Sequence, residues 1–149
     1  MIEGTPKLTQ GIHRQLTCAG IILVLIPLGL VCRFVPIGLP QVIVKYGGSF
    51  LWAAMVYWLI AALLPTLESI ALGFIAAAVA TAVEFAKQID TPGLSAFRDT
   101  FAGKVLLGRY FSYTDIAVYL VAIACAAWLD RNVVRRPASK DKEYFRNGS

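Results

Sequence analysis

The chain has 149 residues, of which 58% are hydrophobic and only 15% are charged, and its formal net charge is +5. Soluble domains carry about 25% charged residues, so this composition argues against a soluble globular protein. The three cysteines are scattered through apolar surroundings, and the single histidine, His13, lies in the polar N-terminal segment. A zinc site needs about four clustered ligands, so we expect neither a metal nor another cofactor.

Four apolar runs are long enough to cross a membrane, at residues 16–35, 49–64, 67–86 and 112–129. A span needs about 20 mainly apolar residues, and backbone groups in lipid must be bonded internally, so each run predicts a helix. The predicted fold is an all-α, polytopic membrane protein with four transmembrane helices in residues 16–129. Residues 1–15 are predicted to be a cytoplasmic tail, and residues 130–149 a basic cytoplasmic tail.

The first run is expected to be a retained helix, because it is longer than a signal-peptide core of about 7–15 residues and leads into Cys32-Arg33-Phe34. Arg33 is either an anchor in the headgroup region or a phosphate contact. Residues 35–48 are predicted to be a connector that ends in Lys45-Tyr46-Gly47-Gly48-Ser49. Ser49 would cap the second helix, and a lysine beside a glycine-rich helix start favours anion binding. A flexible hinge explains the same residues equally well.

Glu84 is the residue around which the prediction is built. It follows fifteen uncharged residues and lies near a helix C-terminus, where the helix dipole opposes a carboxylate. An acidic side chain costs about 2.5–3.5 kcal/mol at the membrane centre and less toward the interface, so a partner must offset that cost. Lys87 or Gln88 would do so locally, and Arg109 from across the bundle. Glu84 either has a functional role or forms a structural ion pair.

One face of the third helix carries small residues, and we expect that face to point into the bundle because small residues let membrane helices approach closely. The residues on it are Gly73, Ala77, Ala80, Thr81, Glu84 and Gln88. An amphipathic interfacial segment is predicted at residues 95–107, with Arg98, Asp99 and Lys104 toward water; it could act as a lid. Ser112 and Asp115 form a capping-box pattern at the start of the fourth helix.

Charge sets the predicted topology. Four helices place both termini on one side, which carries eight Lys and Arg against six on the other. The positive-inside rule therefore predicts cytoplasmic termini in a bacterial inner membrane. Arg33, Lys45, Arg98 and Arg109 would then share the outer face with Glu84 and Asp115. The basic C-terminal tail favours attraction to anionic lipid over nucleic-acid binding.

Several short motifs resemble known families. Glu84, the stretch Gly108-Arg109-Tyr110-Phe111-Ser112 and Asp115 resemble the VanZ-like group of small bacterial membrane proteins. That group has an acidic residue closing one helix and an R-x-[FY]-[ST]-x-x-D-like entry to the next; its link to glycopeptide-antibiotic tolerance implies envelope chemistry. The chain departs from it in a connector of about twenty residues and in Tyr119, where those proteins tend to have Asn. It is more similar still to a bacterial family of uncharacterised small membrane proteins, through Cys32-Arg33-Phe34, Gly38-Leu39-Pro40, Lys45-Tyr46-Gly47-Gly48 and Trp52.

These patterns lead to one functional hypothesis. Arg33, Lys45, Arg98 and Arg109 would contact a phosphate or another anionic headgroup, and Glu84 and Asp115 would orient those cations or bond a ligand hydroxyl. The expected partner is a membrane lipid or a lipid intermediate of the cell envelope. Binding is expected rather than catalysis, with Glu84 as a general base left open, because the chain offers no Ser/His/Asp or Cys/His set. The alternative is a structural accessory subunit of a larger membrane complex or of a self-assembly.

Overall fold

A computed structural model describes residues 5–34, 38, 40–89, 91–106 and 111–135, except for the side chains of residues 5–10, 33, 34 and 106. The described residues form six α-helices and no strand. The helices are α1 Thr5–Phe34, α2 Gln41–Leu63, α3 Ser69–Ala86, α4 Pro92–Asp99, α5 Phe101–Leu106 and α6 Tyr113–Leu129, and α6 continues as a π-helix, Asp130–Val134.

The prediction of an all-α fold with four membrane-length helices is confirmed. The candidate spans are Gly11–Cys32, Gln41–Leu63, Ser69–Ala86 and Tyr113–Val134. Helix α2 packs against α1, α3 and α6, and α3 also packs against α6. Successive spans run in opposite directions, so the bundle has two ends. We call the end with the start of α2, the end of α3 and the start of α6 the Glu84 end, and the opposite one the Asp130 end.

Small side chains form much of the core, which lets the helices approach closely. They include Ala53 and Ala61 on α2, Ala76 and Ala80 on α3, and Ala122 and Ala126 on α6, each at most 3% exposed. The buried face of α3 runs through Ser69, Leu72, Ala76, Ala80 and Glu84. Ala80 and Glu84 thus lie on the core face as expected, while Gln88 is exposed at the helix end.

Helix α2 begins earlier than the sequence indicated. It starts at Gln41, directly after Pro40, so Ser49 lies inside the helix and the prediction that it caps the helix is wrong. The helix continues through the glycines because a membrane-spanning backbone must bond its own polar groups. Each unsatisfied backbone group in hydrocarbon costs several kcal/mol, whereas each glycine in a helix costs about 1 kcal/mol, so Gly47 and Gly48 stay helical. Lys45 therefore projects from the second turn of a helix rather than from a loop.

Both terminal segments are more helical than predicted. Helix α1 already begins at Thr5, although a polar tail was expected up to residue 15. The first residues of the expected basic tail continue the last helix, and Asp130 is fully buried. The rest of that tail, residues 136–149, lies outside the described part of the chain.

The predicted interfacial segment is two short helices instead of one. Thr100 separates α4 from α5, and its hydroxyl accepts a hydrogen bond from the Gly103 N–H at 3.0 Å, as at a helix N-cap. The turn is tight at Gly103, where an added Cβ would collide with the Phe97 carbonyl. Whether this pair of helices acts as a lid stays a prediction.

Candidate functional site

Glu84 lies on the last turn of α3 and is 0% exposed. Three donors meet its carboxylate. The Ser112 backbone N–H donates to Oε1 at 2.8 Å, the Tyr119 hydroxyl donates to Oε2 at 2.9 Å, and the Lys87 ammonium group forms an ion pair with Oε2 at 2.5 Å. The local cation that the sequence offered, Lys87, is thus a partner of Glu84.

This arrangement solves a physical problem. A buried carboxylate in an apolar bundle is tolerated only when it is paired and hydrogen-bonded. The Lys87 side chain is only 6% exposed, so the two charges are buried together. The Ser112 N–H is one of the N–H groups that the start of α6 leaves without an intrahelical acceptor. Glu84 therefore fastens the end of α3 to the start of α6.

Tyr119 and Trp52 extend this polar network toward α2. The centroids of their rings lie 5.2 Å apart, and the ring planes are tilted relative to each other. Trp52 thus packs against the tyrosine whose hydroxyl donates to Glu84. The Trp52 Nε1–H is buried and donates no hydrogen bond within the described part of the chain. The Glu84 end thus contains a buried polar N–H, beside Tyr119, that has no acceptor among the described residues.

Lys45 and Asp115 form the outer part of the Glu84 end. Their Nζ and Oδ1 atoms are 3.9 Å apart, and the lysine side chain is 55% exposed while that of Asp115 is 8% exposed. Lys45 also lies 5.3 Å from the centre of the Tyr46 ring. Although Ser112 and Asp115 have capping-box spacing, the Ser112 side chain makes no capping hydrogen bond. A buried carboxylate thus holds an exposed ammonium group at the rim.

The structure divides the remaining predicted site residues. Arg98 donates to the carbonyls of Ala86 and Ile89, at 2.7 and 3.0 Å, so its guanidinium covers the C-terminus of α3 and ties α4 to it. Arg109 lies outside the described residues, and so does the side chain of Arg33. Glu84, Lys45 and Asp115 are therefore the predicted site residues whose side chains are placed together at the Glu84 end, and whether they bind a ligand stays a prediction.

Sequence reasoning missed a second polar cluster, at the Asp130 end. Asp130 is fully buried, and four donors meet its Oδ2 atom. They are the Ser69 hydroxyl at 2.7 Å, the Tyr57 hydroxyl at 2.9 Å, Arg135 Nε at 3.1 Å and Arg14 Nη2 at 3.2 Å.

The Asp130 cluster joins all four spanning helices, because Arg14, Tyr57 and Ser69 come from α1, α2 and α3. The π-helix contributes to it: the Arg135 N–H bonds the Asp130 carbonyl at 2.8 Å in a wide turn that brings Arg135 back over Asp130. The signal for this cluster was present in the sequence. Asp130 ends the fourth apolar run as Glu84 ends the third, at a helix terminus whose dipole disfavours an acid.

Both Glu84 oxygens already accept hydrogen bonds, so the carboxylate is poorly placed to take a proton from a substrate. Among the described residues, no group of three or more His, Cys, Asp or Glu side chains could hold a metal ion. This end also presents an exposed lysine, Lys45, whose Nζ atom lies 3.9 Å from Asp115 Oδ1.

Two comparisons with known proteins bear on these residues. A family model described as a protein of unknown function (DUF2809) matches residues 38–123, more than half of the 149-residue chain. The matched segment contains Lys45, Glu84, Asp115 and Tyr119, whereas Asp130 lies beyond it. No solved structure matches the chain. The expected similarity to an uncharacterised family is therefore confirmed.

Proposed function

This chain belongs to the DUF2809 family of proteins of unknown function, and we propose that this integral membrane protein binds the headgroup of an anionic lipid at its Glu84 end. The observation that carries the proposal is Lys45, whose side chain is 55% exposed and whose ammonium nitrogen lies 3.9 Å from the buried Asp115 carboxylate. The resemblance of the motif around Glu84 and Asp115 to VanZ-like proteins supports a ligand from the cell envelope.

The interaction energies favour replacement of Asp115 by a phosphate as the partner of Lys45. A solvent-exposed ion pair contributes about 0–1 kcal/mol, so the long contact with Asp115 is a weak hold on Lys45. A phosphate oxygen at about 2.8 Å would form a charge-assisted hydrogen bond of roughly twice the strength of a neutral one. Asp115 would remain close enough to keep the ammonium group oriented. Its negative charge would keep the lysine side chain from turning away into solvent.

Glu84 has a positioning role in this proposal. Its bonds to Tyr119 and to the Ser112 N–H fix the start of α6, and Asp115 lies one turn further along the same helix. Tyr119 in turn packs against Trp52 of α2, which ties the start of α6 to α2. The carboxylate thus holds the helix that presents Asp115, and Asp115 holds Lys45.

We also propose that the Glu84 end faces outward from a bacterial inner membrane. The Arg14–Asp130 contact places the N-terminal helix and the end of α6 at the same end of the bundle. The excess of Lys and Arg in the two terminal segments supports a cytoplasmic position for that end. A reporter that is active only outside the cytoplasm, fused at residue 149, should be inactive; an active fusion would reverse this orientation.

Native mass spectrometry of the detergent-purified protein tests the lipid proposal. The wild type should retain an anionic phospholipid, and Lys45→Gln should lower its retention about fivefold, since a lysine near an anionic surface contributes about 1 kcal/mol. The matched control is Lys104→Gln on α5, which removes the same charge from the connector between α3 and α6 and should retain lipid as the wild type does.

Two other results would contradict the proposal. Equal lipid retention by the wild type and Lys45→Gln would show that the lysine is not the contact. The second result is that Lys45→Gln and Glu84→Gln both keep their lipid but fail to co-purify with a protein partner that the wild type binds. That result would favour the accessory-subunit hypothesis.

A further inference from the structure

A groove opens between α2 and α6 directly beside the Lys45–Asp115 pair. Tyr46, Gly47 and Phe50 line its α2 wall, and Ala117, Val118 and Val121 line its α6 wall. Thr114 also lines the groove. Tyr46 and Thr114, the lining residues nearest the Glu84 end, directly adjoin Lys45 and Asp115 in sequence. The groove therefore continues from the candidate headgroup site down the side of the bundle.

The groove has the size and chemistry of a binding site for an apolar chain. Its volume is about 460 Å³, within the range of about 300–1,000 Å³ that ligand pockets occupy. From Thr114 to Val121 it extends about 10 Å along α6, at 1.5 Å rise per residue. Its walls lie within two candidate membrane spans, so hydrocarbon rather than water is the medium around it.

Two glycines give an independent reason to assign the groove a ligand. A Cβ built on Gly47 or Gly48 would meet no atom within 4 Å, whereas one built on Gly73 would lie 3.8 Å from Ala127. Gly73 thus serves close helix packing, but the glycines of α2 do not. Each costs about 1 kcal/mol relative to alanine in a helix. Close approach of a ligand to the backbone is a remaining use of glycine at such positions.

We propose that the groove holds one acyl chain of the anionic phospholipid whose headgroup lies at Lys45. This inference rests on the proposed function and extends it from a headgroup to a diacyl lipid. The groove mouth carries the exposed cation that a phosphodiester requires, and the groove below carries only apolar contacts for the chain. Because lipid tails surround the whole bundle, the groove contributes by closer van der Waals packing rather than by removing the chain from water.

Photo-cross-linking tests the proposal. The full chain is reconstituted in nanodiscs with a phosphoglycerol lipid that carries a diazirine in the middle of one acyl chain, and adducts are mapped by mass spectrometry after irradiation. We expect Val118 and Val121 to carry severalfold more adducts than Phe74, which is 76% exposed on α3. Equal labelling of these positions would overturn the groove as an acyl site.

A pair of substitutions separates the groove from the rest of the lipid-facing surface. Ala117→Phe places a ring in the groove and should reduce adducts at Val121 to the level found at Phe74. Ala78→Phe, the matched control, adds the same ring to an exposed position on α3 and should leave the adducts unchanged. Groove adducts that persist in Ala117→Phe would contradict the proposal.

Two further arms distinguish failure of the groove from failure of the headgroup site. Lys45→Gln, or a phosphocholine lipid with the same chain, should lower groove adducts about fivefold. If both leave the adducts unchanged, the acyl site stands and the anionic headgroup proposal is overturned. Excess inorganic phosphate should not displace the lipid, since a free anion lacks the contacts of the chain; displacement would overturn the acyl assignment.

Discussion

Removal of the Asp130 carboxylate provides a stringent test of how this bundle is held together. Two hydroxyl groups and two guanidinium groups donate to one oxygen of a fully buried side chain. Hydrogen bonds between membrane helices average about 0.6 kcal/mol, so loss of the Tyr57 and Ser69 bonds costs about 1.2 kcal/mol. Removing one partner of a buried ion pair costs about 3–5 kcal/mol because it leaves the other charge uncompensated.

The ion-pair figure belongs at the lower end of its range. The Arg14 and Arg135 side chains are 11% and 24% exposed, so both reach water in part. Both also donate to backbone carbonyls, Arg14 to Pro65 and Arg135 to Leu67. Asp130→Ala should therefore destabilise the protein by about 4 kcal/mol. Asp130→Asn should cost about 3 kcal/mol, because its amide oxygen still accepts from the hydroxyls.

Equilibrium unfolding of the detergent-solubilised protein by SDS measures these free-energy differences. Glu68→Gln is the control, since it removes an exposed carboxylate at the same end of the bundle and should cost less than about 1 kcal/mol. A double-mutant cycle of Asp130→Asn with Arg135→Gln should give a coupling above about 0.5 kcal/mol. If Asp130→Asn is as mild as Glu68→Gln, the cluster does not stabilise the bundle.

Three other predictions concern the Glu84 end and its connector. Glu84→Ala should destabilise the protein by about 3–5 kcal/mol in the same unfolding assay, because Lys87 stays buried without its partner; a cost below that of Tyr119→Phe would contradict the burial argument. Tyr119→Phe should cost only about 0.6 kcal/mol, the average for one interhelical hydrogen bond, and unchanged stability would show that this bond contributes nothing. Gly103→Ala should open the junction of α4 and α5, because its Cβ meets the Phe97 carbonyl; proteolysis at this junction should accelerate, and an unchanged rate would refute the steric argument.

The sequence was sufficient for the fold class and for the burial of Glu84. Long apolar runs determine membrane helices because the backbone has few other solutions in lipid. The same physics placed Glu84 correctly, since an acid at the end of such a run must find a donor. Lys87 was among the named donors, and three residues of separation on a helix made that pair predictable.

The remaining contacts depend on distances in sequence that local patterns do not encode. Asp130 contacts Arg14, which is 116 residues away in sequence, and Ser69, which is 61 residues away. Because Asp130 is followed directly by Arg131, it was assigned to the polar C-terminal tail. Tyr119 lies within an apolar run, so the sequence pattern indicated a packing residue and not a hydrogen-bond donor to Glu84. The start of α2 was predicted too late because two adjacent glycines, Gly47 and Gly48, usually interrupt a helix in water. In lipid the backbone hydrogen bonds of a continuous helix outweigh the cost of the two glycines.

The distance between the Lys45 ammonium nitrogen and a lipid phosphorus tests the central claim most directly. Solid-state NMR of the protein in anionic bilayers, with ¹⁵N in lysine side chains, measures this distance through the dipolar coupling of ¹⁵N to ³¹P. We predict a phosphorus atom within about 4 Å of the Lys45 nitrogen, as a charge-assisted hydrogen bond to a phosphate oxygen requires, and a signal that disappears in Lys45→Gln. Absence of that coupling in the wild type, or its persistence in the variant, would contradict the proposed headgroup site.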